Sequence, residues 1–457
     1  MRERGTAWIL GAGSSGMAAA RLLRQHGWSL KLLDQCPESE LGARATELRE
    51  LGVEVLCGAG ELPAGHPDYV IVSPGVPLTS PWLVEAQRRG LRLMSELELG
   101  ARFLACPYIA VTGSKGKSTL VKLLADTLNR AGLRAAAGGN YGVPASTLAL
   151  AGDLDWAVLE CSSFQLETAT GLKPRIAIML NFSPDHLDRH GTMAEYRDLK
   201  LRLPANQTDD DLTLVTDHSD PWGFRQEAQA ASRGRVELFG RESTSEWLYR
   251  AGGVYCRSRP SLAVTGLEGS PFDNAVMGPG LAAAVATLTH IGLSPGRVAE
   301  GIKNFVPLPH RLQEIARVGG VRFVNDSKAT SFAAQAAALQ IIKGPKLLIA
   351  GGVLKGENAG DAKELLTAGV KKVYLIGQSS EVLAAAWSRH LEVELCGSLE
   401  RAVTLAGDEA VAGDVVLLSP GAGSFDQFLD FADRGDQFAA LVKKLIKERQ
   451  LTQEKKQ

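Results

Sequence analysis

Long apolar runs are missing from this 457-residue chain. None comes near the ~18 consecutive apolar residues that a membrane-crossing helix needs, so membrane insertion is not expected. The opening MRERGTAWILGAGSSG sets basic residues before apolar ones, but glycines break the apolar stretch at once, unlike a signal peptide. Cysteine is scarce: six residues, at 36, 57, 106, 161, 256 and 396, with no C-x-x-C pair. That spacing offers no zinc pattern and reads as reduced thiols of a cytoplasmic protein. Aromatic residues make up only 6%, little for a surface that stacks bases. An excess of either charge is lacking too. Fifty basic side chains face fifty-one acidic ones, a net −1, so no global field draws the chain to nucleic acid or an anionic membrane. What is present is ordinary globular composition, 45% apolar and 22% charged. A chain of this length divides into several cores, about three at roughly 150 residues each.

Three blocks each open with short β-rich strands that alternate with alanine- and leucine-rich helical stretches. That alternation predicts an α/β fold, parallel sheets with helices on both faces. In the first block Thr6–Leu10, Leu30–Asp34 and Tyr69–Ser73 read as strands and Ser14–His26 as a helix. The second starts near Pro107 with YIAVTG, runs through a helix to Arg130, and continues with strands WAVLE (156–160) and IAIMLN (176–181). Residues 204–270 are more polar and weakly patterned, and read as small strands or surface excursions. The third follows the proline-marked VPLPHR (306–311), with strands around Val321–Asn325, Lys346–Ala350, Val373–Ile376 and Val415–Ser419. YVIVSPGV (69–76) and VVLLSPGA (415–422) echo each other as strands ending in Ser-Pro-Gly. Such strand ends are where open α/β sheets bind ligands. The C-terminal KKLIKERQLTQEKKQ reads as a solvated helix end.

GAGSSG (11–16) is a full G-x-G-x-x-G between a strand and a helix, with Asp34 closing the next strand. Its glycines permit a tight turn and let a diphosphate approach the helix N-terminus, without choosing the ligand. TGSKGKST (112–119) is sharper: a P-loop variant with Val111 where the strict motif has glycine. Backbone N–H groups would cradle phosphate oxygens, Lys117 would span the terminal phosphates, and Ser118 or Thr119 could ligate magnesium. This predicts a nucleoside triphosphate site. Glu160 ends WAVLE where a carboxylate could face those phosphates. NFSPDHLDRHG (181–191) packs Asp185, His186, Asp188 and His190 together. His186 and His190, at i and i+4, could form a zinc pair on a helix, but proline, glycine and absent cysteines argue for a solvated loop. On spacing alone Lys200 in EYRDLKLRL is an ordinary surface lysine. NDSKATS (325–331) gathers a carboxylate, a lysine and hydroxyls after a strand, and a capped turn would use the same residues. Lys355 is an anion-binding cation or an exposed lysine.

Taken in order, GAGSSG, VSPGVP, TGSKGKST, GGNYG, ECSSFQLE, PDHLDRHG, YRDLKLRL, PHRLQE, NDSKATS and LLSPGAGSFDQFLDFADRG resemble the Mur ligases of peptidoglycan synthesis over nearly the whole chain. NDSKATS and the C-terminal run are closest to the branch that adds D-glutamate. The resemblance implies three domains: a Rossmann-like UDP-substrate domain (1–97), a central P-loop-type ATPase domain with a mostly parallel sheet (98–307), and a Rossmann-like amino-acid-binding domain (308–457). It implies a monomeric cytoplasmic ligase of cell-wall biogenesis, cell shape and division, with UDP-N-acetylmuramoyl-L-alanine and D-glutamate as partners, ATP as co-substrate and two Mg²⁺ sites. It also implies an acyl phosphate, formed on ATP and resolved by the incoming amine.

Carried over by position, Lys117 would stabilise the transferring phosphate, Ser118 and Glu160 would hold one Mg²⁺, and His186 with a carbamylated Lys200 the second. Gly113, Ser114, Lys115, Gly116, Thr119, Asn274, Arg311 and Asp326 would complete the ATP site. The UDP-sugar would lie near Ser14, Ser15, Asp34, Gln35 and Gly75, with Asn140 and Gln165 at its lactyl-alanine end. D-Glutamate would meet Lys328, Thr330, Lys355, Ser424, Phe425 and Phe431. Three positions depart from the family pattern: Asn274 stands in a shifted register before the helix LAAA, Cys36 replaces a common arginine, and Lys115 replaces a frequent asparagine. Two other classes compete. An NAD-dependent oxidoreductase built on GAGSSG and Asp34 leaves TGSKGKST, Glu160 and His186 without a task. A catalytically silent nucleotide-binding relative would not need Lys117, Glu160, His186 and Lys200 together.

Overall fold

The computed structural model describes residues 4–354, 359 and 369–454. Its first sheet holds β1 (Thr6–Leu10), β2 (Ser29–Asp34), β3 (Glu54–Cys57), β4 (Tyr69–Val72) and β5 (Leu93–Ser95), all parallel, in the order β3-β2-β1-β4-β5. The order reverses between β1 and β4. The glycine loop after Leu10 and the Ser73-Pro74-Gly75 loop therefore flank the switch point, where such sheets leave a ligand crevice.

The second sheet runs through β6 (Tyr108–Thr112), β7 (Ala135–Gly139), β8 (Trp156–Glu160), β9 (Ile176–Met179), β10 (Leu212–Thr216), β11 (Arg235–Gly240), β12 (Trp247–Arg250), β13 (Gly253–Cys256) and β14 (Val264–Thr265). Their order is β14-β13-β12-β11-β10-β9-β6-β8-β7, parallel from β7 to β12 and antiparallel in the β12–β13 and β13–β14 pairs. The third holds β15 (Gln313–Val318), β16 (Val321–Asn325), β17 (Lys346–Ala350), β18 (Val370–Ile376), β19 (Glu392–Gly397) and β20 (Val415–Leu418), ordered β15-β16-β20-β17-β18-β19. Only its edge strand β15 is antiparallel.

Each sheet is covered on both faces, which is why its inner strands read as unbroken apolar runs. Successive side chains alternate between two cores. Ile109 and Val111 enter one cluster with Val158 and Ile178, while Tyr108 and Ala110 enter the other with Leu159 and Met179. In the third sheet Leu347 and Ile349 face Phe438 and Val442, and Leu348 and Ala350 face Phe332 and Trp387. The first sheet divides the same way, Ile9 and Leu32 on one side, Trp8 and Leu33 on the other.

The weakly patterned 204–270 is not a set of surface excursions. It supplies β10 to β14 and the helix Phe224–Ala231, extending the middle sheet. Its outer strands alternate because they bury alternate residues: Trp247 and Tyr249 of β12 join the core that also holds Ala283 to Ala286 of the helix Gly278–Ile291, while Arg250 stays exposed. Residues 1–273 with 277–305 form one compact unit, and 274–276 with 306–457 a second. Among the described residues no helix is long and apolar enough to cross a membrane.

Candidate active site

Because β6 lies between β8 and β9, the carboxyl ends of three parallel strands bring residues 112–119, Glu160 and the segment after Met179 to one rim. Gly113 (φ +151°) and Gly116 (φ +84°) adopt backbone conformations that L side chains avoid. The helix Lys117–Arg130 starts directly on Gly116, which has no side chain to cap it. The positive end of the helix dipole at this terminus favours an anion.

The motif predicts backbone N–H groups turned to phosphate, but two of the loop's N–H groups are already bonded within the protein. Asn181 Oδ1 accepts from the N–H of Ser114 at 3.0 Å and of Lys115 at 2.9 Å, and its Nδ2 donates to the Lys115 carbonyl at 2.9 Å. The Ser114 hydroxyl donates to the Ser183 carbonyl at 2.9 Å and accepts the Ser183 N–H at 3.0 Å. Protein contacts thus fix the loop's shape. Sequence reasoning missed Asn181 and Ser183; the signal was their place at the end of the strand next to the P-loop strand.

Lys117 Nζ donates to the carbonyls of Gly113 at 2.8 Å and Ser114 at 3.1 Å, and Lys200 Nζ donates to the same Gly113 carbonyl at 3.0 Å. Lys200 is no surface lysine. It is 1% exposed on the helix Met193–Leu201, which a capping box between Thr192 and Glu195 starts. Burial, and then the nearby Lys117 charge, hold its ammonium well below the usual lysine range. Glu160 is 2% exposed. Its Oε1 accepts from Asn140 Nδ2 at 2.7 Å, while Oε2 is buried with no hydrogen-bond partner. Glu160 stands opposite Val111 in the β6–β8 ladder, two residues before the Gly113 carbonyl that Lys117 and Lys200 share.

His186 sits in the left-handed region (φ 54°) against the Phe164 ring at 4.8 Å, with Nε2 3.7 Å from Asp185 Oδ2. Burial keeps it below the ordinary histidine range, with Asp185 opposing. Asp185 also accepts from Lys115 Nζ at 3.1 Å. His190 is neither a solvated loop residue nor half of a zinc pair. Its buried ring meets Ser163 Oγ at 2.9 Å and stacks on Tyr196, while the neighbouring Arg189 pairs with Glu167. Asp188 is exposed, but on the short helix Leu187–His190 rather than in a loop. No group of three or more metal-ligating His, Cys, Asp or Glu side chains occurs among the described residues. Gln165 is buried with its amide oxygen committed to the capping box of Ser162, so it shapes the loop after Glu160.

In the glycine loop, a Cβ on Gly16 would stand 1.8 Å from the Gly11 carbonyl oxygen, so only glycine fits. Asp34 does not reach outward as a dinucleotide-type ribose contact would. Its Oδ2 accepts the Ala12 N–H at 2.6 Å and its Oδ1 the Cys36 N–H at 2.8 Å, pinning the loop to the end of β2. Ser14 and Ser15 open the helix Ser14–Gln25, and Ser14, Gln35 and Gly75 are exposed around the switch point.

In the second unit, Asp326 follows β16 and Ser419 follows β20, with Ser419 Oγ donating to Asp326 Oδ2 at 2.8 Å. Burial pushes Asp326 up to about 7, opposed by Ser419, the Leu312 N–H and the Arg311 charge. Lys328 Nζ lies 3.5 Å above the Phe431 ring centroid. Arg434, which sequence reasoning passed over, is fully buried and joins the two Ser-rich loops. It donates to Ser327 Oγ and Ser327 O at 2.9 Å, to Ala422 O at 3.2 Å and to Gly423 O at 3.3 Å. Thr330 and the buried Ser424 lie on those loops, and Phe425 is 72% exposed. Asn274 Oδ1 accepts the Val276 N–H at 3.1 Å within its own turn. Lys355 lies outside the described residues.

Residues 5–95 match the profile of the Mur ligase MurD-like N-terminal domain, 111–277 the Mur ligase middle domain, and 310–422 the Mur ligase glutamate ligase domain. The chain is 38% identical to a UDP-N-acetylmuramoylalanine–D-glutamate ligase of Acidobacterium capsulatum, covering 95% of each chain. It is 38% identical to the protein of that name in Myxococcus xanthus, covering 96% of this chain and 98% of the relative. In fold it is similar to the UDP-N-acetylmuramate-alanine ligase MurC of Thermotoga maritima (TM-score 0.60, 16% identity, 96% and 99% covered). It is equally similar to the MurF ligase of that organism in complex with ADP (TM-score 0.59, 16% identity, 92% and 96% covered).

Proposed function

The chain belongs to the Mur ligase family, and on that premise we propose that it is the ATP-dependent ligase that joins D-glutamate to UDP-N-acetylmuramoyl-L-alanine in peptidoglycan precursor synthesis. Relatives at this identity over nearly the full length carry that activity in their names. The observation that carries the chemistry is that Lys117 and Lys200 share the Gly113 carbonyl while Glu160 ends the adjacent strand opposite Val111, at the same rim. Residues 1–97 take the UDP-sugar, 98–307 the ATP, and 308–457 the amino acid. The protein acts as a cytoplasmic monomer.

The alanyl carboxylate attacks the γ-phosphorus of ATP, the bond to the ADP oxygen breaks, and an acyl phosphate forms. The D-glutamate amine then attacks the acyl carbon, loses a proton, and phosphate leaves. Lys117 meets the charge on the transferring phosphoryl group. Asn140 fixes Glu160 through Oε1, so the other oxygen keeps one direction. Ser14, Ser15 and the Gly75 loop orient the UDP-sugar. Gln35 and Asp34 border that site, and Asp34 acts on it through the loop it pins. Residues 113–119 cradle the nucleotide phosphates, and the family resemblance gives Arg311, Asp326 and Asn274 nucleotide-binding roles. Lys328, Thr330, Lys355 and Ser424 take the two carboxylates of D-glutamate, and Phe425 and Phe431 wall the pocket.

The donor set suits magnesium. Glu160 Oε2 is a buried hard acceptor without a partner, as one expects of a cation ligand. Ser118 and Glu160 would hold one ion, His186 and Lys200 the other. An ammonium cannot ligate a cation, but a lysine held neutral by burial can attack CO₂, lose a proton and become a carbamate. When bound, magnesium supplies charge compensation to the phosphates. The tests are direct. ADP formation across a panel of D- and L-amino acids must peak at D-glutamate, and saturable NADH binding would revive the oxidoreductase reading. If bicarbonate depletion leaves activity untouched and Lys200→Ala is fully active, the carbamate is discarded.

A further inference from the structure

Lys115 and Asp185 form an ion pair at 3.1 Å that joins the P-loop to the turn carrying His186. The pair is not what holds those segments together. Asn181 already bonds Ser114 and Lys115 on both edges, and the Ser114 hydroxyl already bonds Ser183 in both directions. With the two backbones fixed, the pair sets only the direction of the Lys115 ammonium. Its surroundings are crowded with positive charge, since Lys117 and Lys200 share the Gly113 carbonyl one residue beyond Ser114. Glu160 is directed by Asn140, and Asp185 is the carboxylate that pairs with Lys115. Its field reaches both Lys200 and His186. The Lys115 side chain is 39% and the Asp185 side chain 22% exposed, so both can turn without unpacking a core.

We infer that Asp185 and a nucleotide phosphate compete for the Lys115 ammonium. This rests on the triphosphate site of the proposed function and assigns an exchange within it: Lys115 leaves the carboxylate for a phosphate oxygen, and Asp185 is released beside His186. Lys115 is then a second phosphate-binding lysine of the loop, and Asp185 the group that lowers affinity for nucleotide until it is displaced.

The competition gives the two partners opposite signs, which a merely structural pair would not. Titrating the full chain with the non-hydrolysable triphosphate AMP-PNP, with and without Mg²⁺, separates them. Lys115→Gln should weaken binding about fivefold, the upper end of what one part-exposed charge contact contributes. Asp185→Asn should tighten it about two- to fivefold, because the competitor is gone. The Lys115 effect should shrink at 0.5 M salt, where screening shortens the reach of part-exposed charges. The Mg²⁺-free arm removes any effect of Asp185→Asn on metal binding near His186. Weaker binding in Asp185→Asn without Mg²⁺, or unchanged binding in Lys115→Gln, overturns the exchange. Should the unaltered protein bind no AMP-PNP, the triphosphate reading itself fails, which is a different outcome.

Discussion

Replacing Arg434 with methionine tests whether one buried cation sets the spacing of the amino-acid pocket. The guanidinium serves the carbonyls of Ser327, Ala422 and Gly423 and the Ser327 hydroxyl. Three carbonyls left without this donor, at ~1–3 kcal/mol each, give a gross loss of roughly 6 kcal/mol. Burial has pushed the guanidinium down to about 10, so relieving that desolvation returns roughly 3 kcal/mol. The net destabilisation is then ~3 kcal/mol, within the range for a broken buried network. Hydrogen exchange should speed up in peptides spanning 321–335 and 415–424 and stay unchanged in residues 6–95. Because Lys328 and Thr330 ride on one joined loop and Ser424 on the other, KM for D-glutamate should rise at least about tenfold, the size of a ~1.4 kcal/mol loss. KM for the UDP-substrate should not move. Arg434→Lys should recover part of both effects, since one ammonium still reaches some of the carbonyls. Unchanged exchange and an unchanged KM for D-glutamate in Arg434→Met would refute the reasoning.

Glu160→Gln should lower kcat about 10²–10³-fold, as for loss of a group aimed at transition-state charge, without lowering the unfolding midpoint, because Oε2 bonds nothing in the fold. Glu96 links the first and middle sheets by accepting the Ser146 N–H at 2.7 Å, and burial pushes it up to about 7. The folded chain therefore holds that proton from about pH 4.5 to 7 while the unfolded chain releases it, so stability falls as pH rises through this window, by up to about 3 kcal/mol. Glu96→Gln should match the unaltered protein at pH 4.5 and exceed it at pH 8 in urea denaturation. A Cβ at Gly16 would overlap the Gly11 carbonyl, so Gly16→Ala should destabilise by ~1–3 kcal/mol and raise KM for the UDP-substrate in steady-state kinetics.

The parallel strands were legible because burial on both faces writes them as continuous apolar runs. Thr6–Leu10, Trp156–Glu160, Val321–Asn325 and Lys346–Ala350 have the ends that their sequence predicts. In 204–270, β11 and β12 were harder to read because they leave residues partly wet and mix Arg235, Glu237 and Arg250 into the pattern. At the site, the glycine loops announce themselves through residues that only a tight turn requires. The contacts that shape them do not. Asn181 and Asp185 reach the P-loop, and Arg434 reaches Ser327, across 66 or more residues of chain, and nothing local marks an asparagine as a loop clamp or an arginine as buried. Lys200 shows the same limit: its spacing is that of a surface helix, and only the packing of Tyr196 and the P-loop reveals a buried amine.

Phosphate release measured with ATP, UDP-N-acetylmuramoyl-L-alanine and D-glutamate, and with each left out in turn, shows whether a triphosphate held at residues 112–119 activates a carboxylate for capture by an amine. Sustained release should need all three and be lost in Lys117→Ala and Glu160→Gln. No release with all three present, or release that ignores D-glutamate, would mean that no carboxylate is activated for that amine.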